Sequence, residues 1–260
     1  MNGWLTLLHG RRRPQLDEAA WREALDLPVF AGLTAAEIAR LRTHAVAILT
    51  GKTFSGAAGT EVSDDMATLI AAFAALPVLE LGPKAYGDWR EIVVYPAEFV
   101  HEADEVDEAG VVHHMRHIRA GEAMEGGPMV LSWEDVAASG GGEGYNVVIH
   151  EFAHKLDMMN GAVDGLPRLP ADMRVQAWAA AFSAAYDDFC RRIDAGETGD
   201  IDPYAAESPA EFFAVLTEYF FEWPQPLAAA YPAVYEQLRR YFRQDPLRRQ
   251  ERAHHDLATP

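Results

Sequence analysis

Two histidines four residues apart, with a glutamate directly after the first, are the chemical centre of this sequence. They are His150, Glu151 and His154 in the stretch NVVIHEFAHKLD, residues 146–157. On an α-helix, rings at positions i and i+4 leave the same face and can converge on one metal ion. Glu151 is offset by one position. Its carboxylate therefore sits beside the metal, where it can take a proton from a metal-activated water. Asp157 lies seven residues after His150 and three after His154, on the same face. It is placed to accept a hydrogen bond from a ligand or a nearby catalytic group. The bare HExxH pattern also arises by chance, so its surroundings have to carry the reading.

Those surroundings predict a helix. Asn146 is a good N-cap before the apolar run Val147-Val148-Ile149, and Asn160-Gly161 is a good C-terminal stop. Two histidines do not complete a catalytic zinc site, which takes three protein ligands and leaves a position open for water. The helix expected after Tyr204 offers Glu207, Glu211 and Glu218 as a third ligand. Glu211, Val215 and Glu218 share one face, which favours Glu211. However, Ser208-Pro209-Ala210-Glu211 also matches a capping box, in which the glutamate bonds the cap's own backbone. On spacing alone, ligand and cap are equal readings.

The rest of the chain must position these groups. At 260 residues it has ample length for a buried core, and 49% hydrophobic with 24% charged residues is ordinary for a globular protein. A formal net charge of -18 argues against nucleic acid and anionic membranes as partners. Cys190 is the single cysteine, so there is no disulfide framework and no cysteine metal cluster; an inert thiol on an apolar helical face is expected. No stretch is long enough to span a bilayer, and the apolar part of residues 1–13 precedes the basic part, the reverse of a secretory signal. The expected compartment is the cytoplasm. Trp4 to Leu8 with Arg11 to Arg13 read as a loosely docked terminus, with a weak membrane-touching role as the alternative.

Helices are expected from about Asp17, after Thr34, from Ser63 to about Leu76, over Val175 to Ile193, from Ser208, and from Ala233 to Arg243. Phe54 to Gly59 and Gly121 to Gly127 read as a loop and a turn, and the tail beyond Pro246 as frayed. Strands are expected at Glu91 to Tyr95, Val111 to Ile118 and Met129 to Trp133. His113 and His114 are adjacent on such a strand and point to opposite faces, so they, like His101 and His117, read as solvated rather than as joint ligands. The pattern divides into an N-terminal helical subdomain, residues 1–80, and a catalytic domain, residues 81–260.

The segments VVIHEFAHKLD, YAAESPAEFFAVLTEYF and IVVYPAEF resemble the Mlc titration factor A family of bacterial zinc metallopeptidases, and a weaker match runs from about Phe54 to Pro246. That family's core is similar to the core of anthrax lethal factor. The resemblance implies an α+β, mostly helical, zincin-like fold with a small β-sheet beside the HExxH helix. It implies a gluzincin-like zinc peptidase, aminopeptidase activity included, acting on peptide substrates. Zn2+ would be held by His150, His154 and Glu211, with Glu151 as general base and Tyr204, seven residues before Glu211, as oxyanion donor. Many glutamate-ligand zinc peptidases carry an acidic residue four positions after that ligand. This chain has Val215 there, which leaves Glu218 or Asp157 to orient the ligands. The resemblance also implies a rival class, a regulatory protein that sequesters a transcriptional repressor of sugar uptake. On the peptidase reading, the Met129 to Trp133 strand can pair edge-on with an extended peptide.

Overall fold

The computed structural model describes residues 9–106 and 112–258. The expectation for Trp4 to Leu8 lies outside them, as do the side chains of His101, His113, His114 and His117. The architecture is α+β and mostly helical. Its strands are β1 (His9–Arg12), β2 (Thr53–Gly56), β3 (Glu91–Tyr95), β4 (Phe99–Val106), β5 (Val112–Arg119), β6 (Gly121–Ala123) and β7 (Met129–Ser132). The order β1-β2-β3-β7-β6 makes a five-stranded mixed sheet, and β4 and β5 form a separate antiparallel ribbon. Strands β2, β3 and β7 run parallel; β6 joins β7 antiparallel.

The central strands are apolar because both faces are covered. Ile92, Val94, Met129 and Leu131 join the main core, while Val93 and Val130 turn to the other face and pack with Ala57. One buried cluster runs from Trp21 to Phe242, so β2 and the helices α1 (Glu18–Leu25), α2 (Ala35–Gly51) and α3 (Asp64–Ala75) pack with later elements. Asp17, Thr34 and Ser63 are the N-cap residues as expected. Thr34 and Glu37 complete a reciprocal capping box, and Ser63 makes no side-chain bond. After β7 come α4 (Trp133–Ala138), α5 (Val147–Asp157), α6 (Val175–Asp194) and α7 (Pro209–Glu222). On α6, Trp178, Phe182 and Phe189 pack inward, and Val175 at its start is exposed. Cys190 is half-buried on that helix with its sulfur 3.9 Å from the Ala206 carbonyl.

Several expectations are corrected. Phe54 to Gly56 belongs to β2 rather than a loop, because parallel pairing with β3 overrides its small-residue composition. The turn at Gly121 to Gly127 begins as β6. Strand β7 stops at Ser132, whose hydroxyl accepts from the Asp135 N–H and so starts α4. It lies between β3 and β6, so it has no edge to offer a peptide; the edge belongs to β6. Beyond α7 the chain makes α8 (Pro224–Ala230), α9 (Pro232–Phe242) and α10 (Pro246–Ala258). α10 is the segment that the sequence reads as a frayed tail.

α10 is docked by buried polar contacts that composition does not reveal. Arg249, only 4% exposed, donates to the Val29 carbonyl at 2.8 Å, and Gln250 donates to the Glu222 carbonyl at 3.0 Å. Ending the chain at Asp245 removes both donors. The expected result is a loss of about 2–6 kcal/mol, from two carbonyls left unpaired at about 1–3 kcal/mol each. Urea denaturation of the shortened and full chains measures it, and equal midpoints would mean that α10 is only laid on the surface.

Candidate metal centre and active-site cleft

Helix α5 begins as its sequence dictates. The Asn146 side chain accepts from the Ile149 N–H at 3.0 Å, and Gly161 closes the end in the left-handed region at φ 90°. The helix has two working faces. His150 and His154 look toward α7 and Asp157 toward the loop at Gly165, while Glu151 and Lys155, again four apart, look toward β6 and the turn after it. Lys155 donates to the Met124 and Gly127 carbonyls at 2.6 and 3.1 Å, which fixes the turn after β6.

Helix α7 is buried almost all round and packs on α5. Ser208 caps it by accepting from the Glu211 backbone N–H at 3.1 Å, but the Glu211 carboxylate does not return to the cap. Its Oε2 lies 3.0 Å from His150 Nε2 and 3.3 Å from His154 Nε2, and the two ring nitrogens are 3.1 Å apart. The two readings of Glu211 are thus divided between its backbone and its side chain. Glu207 makes no such approach among the described residues. Three ligand-type atoms gathered within 4.8 Å can hold a metal ion. Tetrahedral zinc with ligands at about 2.0–2.1 Å needs them roughly 3.3 Å apart, so the spacing fits.

Glu218, one turn pair further along α7, accepts from His150 Nδ1 at 2.8 Å through one oxygen and from the Asn146 N–H at 2.6 Å through the other. This leaves His150 Nε2 to face the centre. Asp157 has a different partner: it accepts from the Gly165 N–H at 2.8 Å. Its other oxygen and His154 Nδ1 are both buried without a partner among the described residues. Gly165 has φ 79°, and a Cβ there would lie 2.5 Å from the Pro209 carbonyl oxygen. The loop therefore lies directly against the start of α7, and Trp178 Nε1–H holds it by donating to the Gly165 carbonyl at 3.0 Å.

The charges are strongly perturbed. Burial pushes His150 down, but Glu218 and Glu211 outweigh it and hold its pKa well above the ordinary value. Burial pushes Glu211 up, but the bonds from His150 and His154 outweigh it and hold the carboxyl well below the usual range. Glu151 is raised by its burial and keeps Oε2 without a partner among the described residues. Asp157 is pushed up to about 6, mainly by burial.

His150, Glu151, His154, Glu211 and Glu218 line a cleft of about 700 Å³. Tyr204, in a short 3-10 turn at Pro203–Ala206, lines it with its ring centroid 6.1 Å from that of His150. Burial raises the phenol above its ordinary value, which keeps it protonated at neutral pH. Strand β6 forms the opposite wall.

Residues 8–243 match the family described as glucose-regulated metallo-peptidase M90. The chain belongs to this metallopeptidase family. It is 41% identical over 251 residues to Mlc titration factor A of Yersinia pestis (strain Pestoides F), a match covering 95% of this chain and 92% of the relative. The protein of the same name from Yersinia pseudotuberculosis (serotype O:1b, strain IP 31758) shows the same identity and coverage. The α+β fold agrees with an M90 metallopeptidase, and no helix among the described residues is long and apolar enough to cross a membrane.

Sequence spacing brings out the helix motif but not Gly121. Its position is filled by Glu151: a Cβ there would sit 2.5 Å from Glu151 Oε1 and 2.6 Å from its Cγ. Only a residue without a side chain lets β6 lie this close to the glutamate. The contact fixes where the Glu151 carboxylate lies. Gly121→Ala should displace Glu151 and lower peptide hydrolysis by about 10²-fold, the usual cost of a misplacement near 1 Å. Metal content, measured by atomic emission, should be unchanged. Full turnover in this variant would show that Glu151 tolerates the shift.

Proposed function

We propose that the protein is a zinc-dependent peptidase of the HExxH-plus-glutamate type, with His150, His154 and Glu211 holding Zn2+. The observation that carries the reading is the approach of three lone-pair atoms at 3.0–3.3 Å on a point between α5 and α7. Two imidazole nitrogens and a carboxylate oxygen at that spacing are the ligand types and separations of a zinc site. Membership of the metallopeptidase family supports it.

Zinc, when bound, supplies Lewis acidity that eases deprotonation of water and polarises the scissile carbonyl. The chain's own residues do the rest. Glu151 holds a water through its unpartnered oxygen, accepts its proton and passes it to the leaving amine. Burial raises its basicity, which suits that work near neutral pH. The protonated Tyr204 hydroxyl donates to the oxyanion as it forms. Glu218 keeps His150 in one tautomer and orientation. The free edge of β6 runs along the cleft and accepts an extended peptide as an added strand.

The name of the relatives, Mlc titration factor A, supports a second reading, in which the protein captures a transcriptional repressor and peptidase activity is secondary. Both readings place the protein in the cytoplasm. Glu151→Gln distinguishes them, because it removes the base while keeping the shape. Hydrolysis should vanish, and zinc and repressor capture should remain; joint loss of capture and activity would mean that one site serves both.

Zinc content should fall to background for Glu211→Ala, fall in affinity about 10–100-fold for Glu218→Ala, and stay at the wild-type level for Glu207→Ala. Full metal in Glu211→Ala, with only a lowered melting temperature, would reduce Glu211 to a helix-start residue. Tyr204→Phe removes one donor and almost no volume. Turnover should drop about 10²–10³-fold with zinc content and KM nearly unchanged. Cleavage within about twofold of wild type would remove Tyr204 from the mechanism.

A further inference from the structure

The cleft holds more negative charge than the metal centre needs. Glu151, Glu211 and Glu218 belong to that centre. Five further carboxylates, Glu98, Glu122, Asp135, Glu143 and Asp202, line the walls, and Arg119 is the one Lys or Arg among the described lining residues. The chain as a whole has 40 acidic to 22 basic residues, so a wall of five to one exceeds the general bias. The walls also carry three tyrosines, Tyr145, Tyr204 and Tyr219. Tyr145 and Tyr204 keep 41% and 38% of their surface exposed, and the Tyr145 hydroxyl donates to Asp135 at 2.7 Å. Aromatic faces among carboxylates attract organic cations by charge and by cation–π contact. The cleft wall also holds a polar group without a partner: Glu151, 4% exposed, lines it, and its buried Oε2 has no partner among the described residues.

We propose that this cleft selects peptides carrying a lysine or arginine side chain beside the scissile bond. The proposal rests on the peptidase reading above and adds the substrate class. Glu98 and Glu143 are both exposed and make no hydrogen bond or ion pair among the described residues, so they are open to an incoming cation. Clefts lined by one sign of charge raise the local concentration and arrival rate of the opposite charge by about 10–10³-fold, an effect that salt removes.

The test uses two C-amidated peptides of one sequence, each with a free N-terminus. One carries lysine beside the cleaved bond and the other Nε-acetyl-lysine, so that the side-chain ammonium is the only charge that differs. With the zinc-loaded wild type at low salt, kcat/KM should be at least about tenfold higher for the lysine peptide. The gap should close as sodium chloride approaches about 1 M. In the Glu98→Gln/Glu143→Gln double variant it should narrow several-fold. A second arm measures binding of the same peptides, dansyl-labelled, to the Glu151→Gln protein by fluorescence anisotropy, with the same ranking expected. Equal turnover and equal binding of the two peptides would overturn the proposal. So would a preference unchanged by both salt and the double substitution. If neither peptide is cleaved but the lysine form binds more tightly, the peptidase reading fails and the charge selection stands.

Discussion

The Glu218 carboxylate, clamped between the His150 ring and the Asn146 backbone, is the contact on which the rest of the site depends. One oxygen fixes the ring, and the other satisfies a backbone donor at the start of α5. Helix α5 is thereby held to α7 at the point where His150, His154 and Glu211 must meet. A buried carboxylate is costly unless each oxygen has a strong partner. Here both do, so the charge that burial would expel becomes the device that sets helix register and ring orientation together. Asn146 has a second duty: its side-chain amide donates to Glu222 at 2.8 Å, and Glu222 in turn accepts from the Gly142 N–H at 2.8 Å. The chain entering α5 is thus tied to α7 through two carboxylates.

The opposite face of α5 is organised by close approach rather than by charge. Gly121 lets β6 come within contact of Glu151, and Lys155 secures the following turn through two carbonyls. Lys155 and Lys52 both approach the Trp89 ring, at 4.8 and 3.6 Å, and burial first of all pushes both ammonium groups down to about 8. The general base proposed here is therefore packed against a sheet edge whose own position depends on the same helix. The edge strand and the metal motif are one mechanical unit, which is why the wall of the cleft and its floor are built together.

Family membership and geometry bear on different questions. The M90 match and the likeness to the Yersinia proteins establish the class of chain. The geometry states what its residues can do: three convergent lone pairs, a basic carboxylate with a free oxygen, and a protonated phenol at the rim. The charge of the walls, which neither the motif nor the family name describes, concerns what the cleft will admit.

The sequence alone determined much of what depends on neighbours within a few residues. The helix of His150, Glu151 and His154, its Asn146 cap, its Gly161 end, the Thr34 capping box and the Ser208 start all follow from local backbone needs, and local needs travel with the sequence. Tertiary structure decided what depends on distance between remote segments. Spacing left Glu211 equally suited to cap and ligand. Packing of α7 on α5 turned its carboxylate to the histidines and left the cap to its backbone. Spacing offered Asp157 and Glu218 alike as partners for the histidines; only Glu218 reaches one among the described residues, while Asp157 bonds the Gly165 N–H through one oxygen and leaves the other unpartnered. The strand at Met129 was legible, but its place inside the sheet was not, since strand order is set by which neighbours pair and not by the strand's own residues. Nor was the tail, where α10 is held by Arg249 and Gln250 on carbonyls far away in the chain. A sequence writes its caps and periodicities openly, whereas contacts between segments exist only once the core has brought them together.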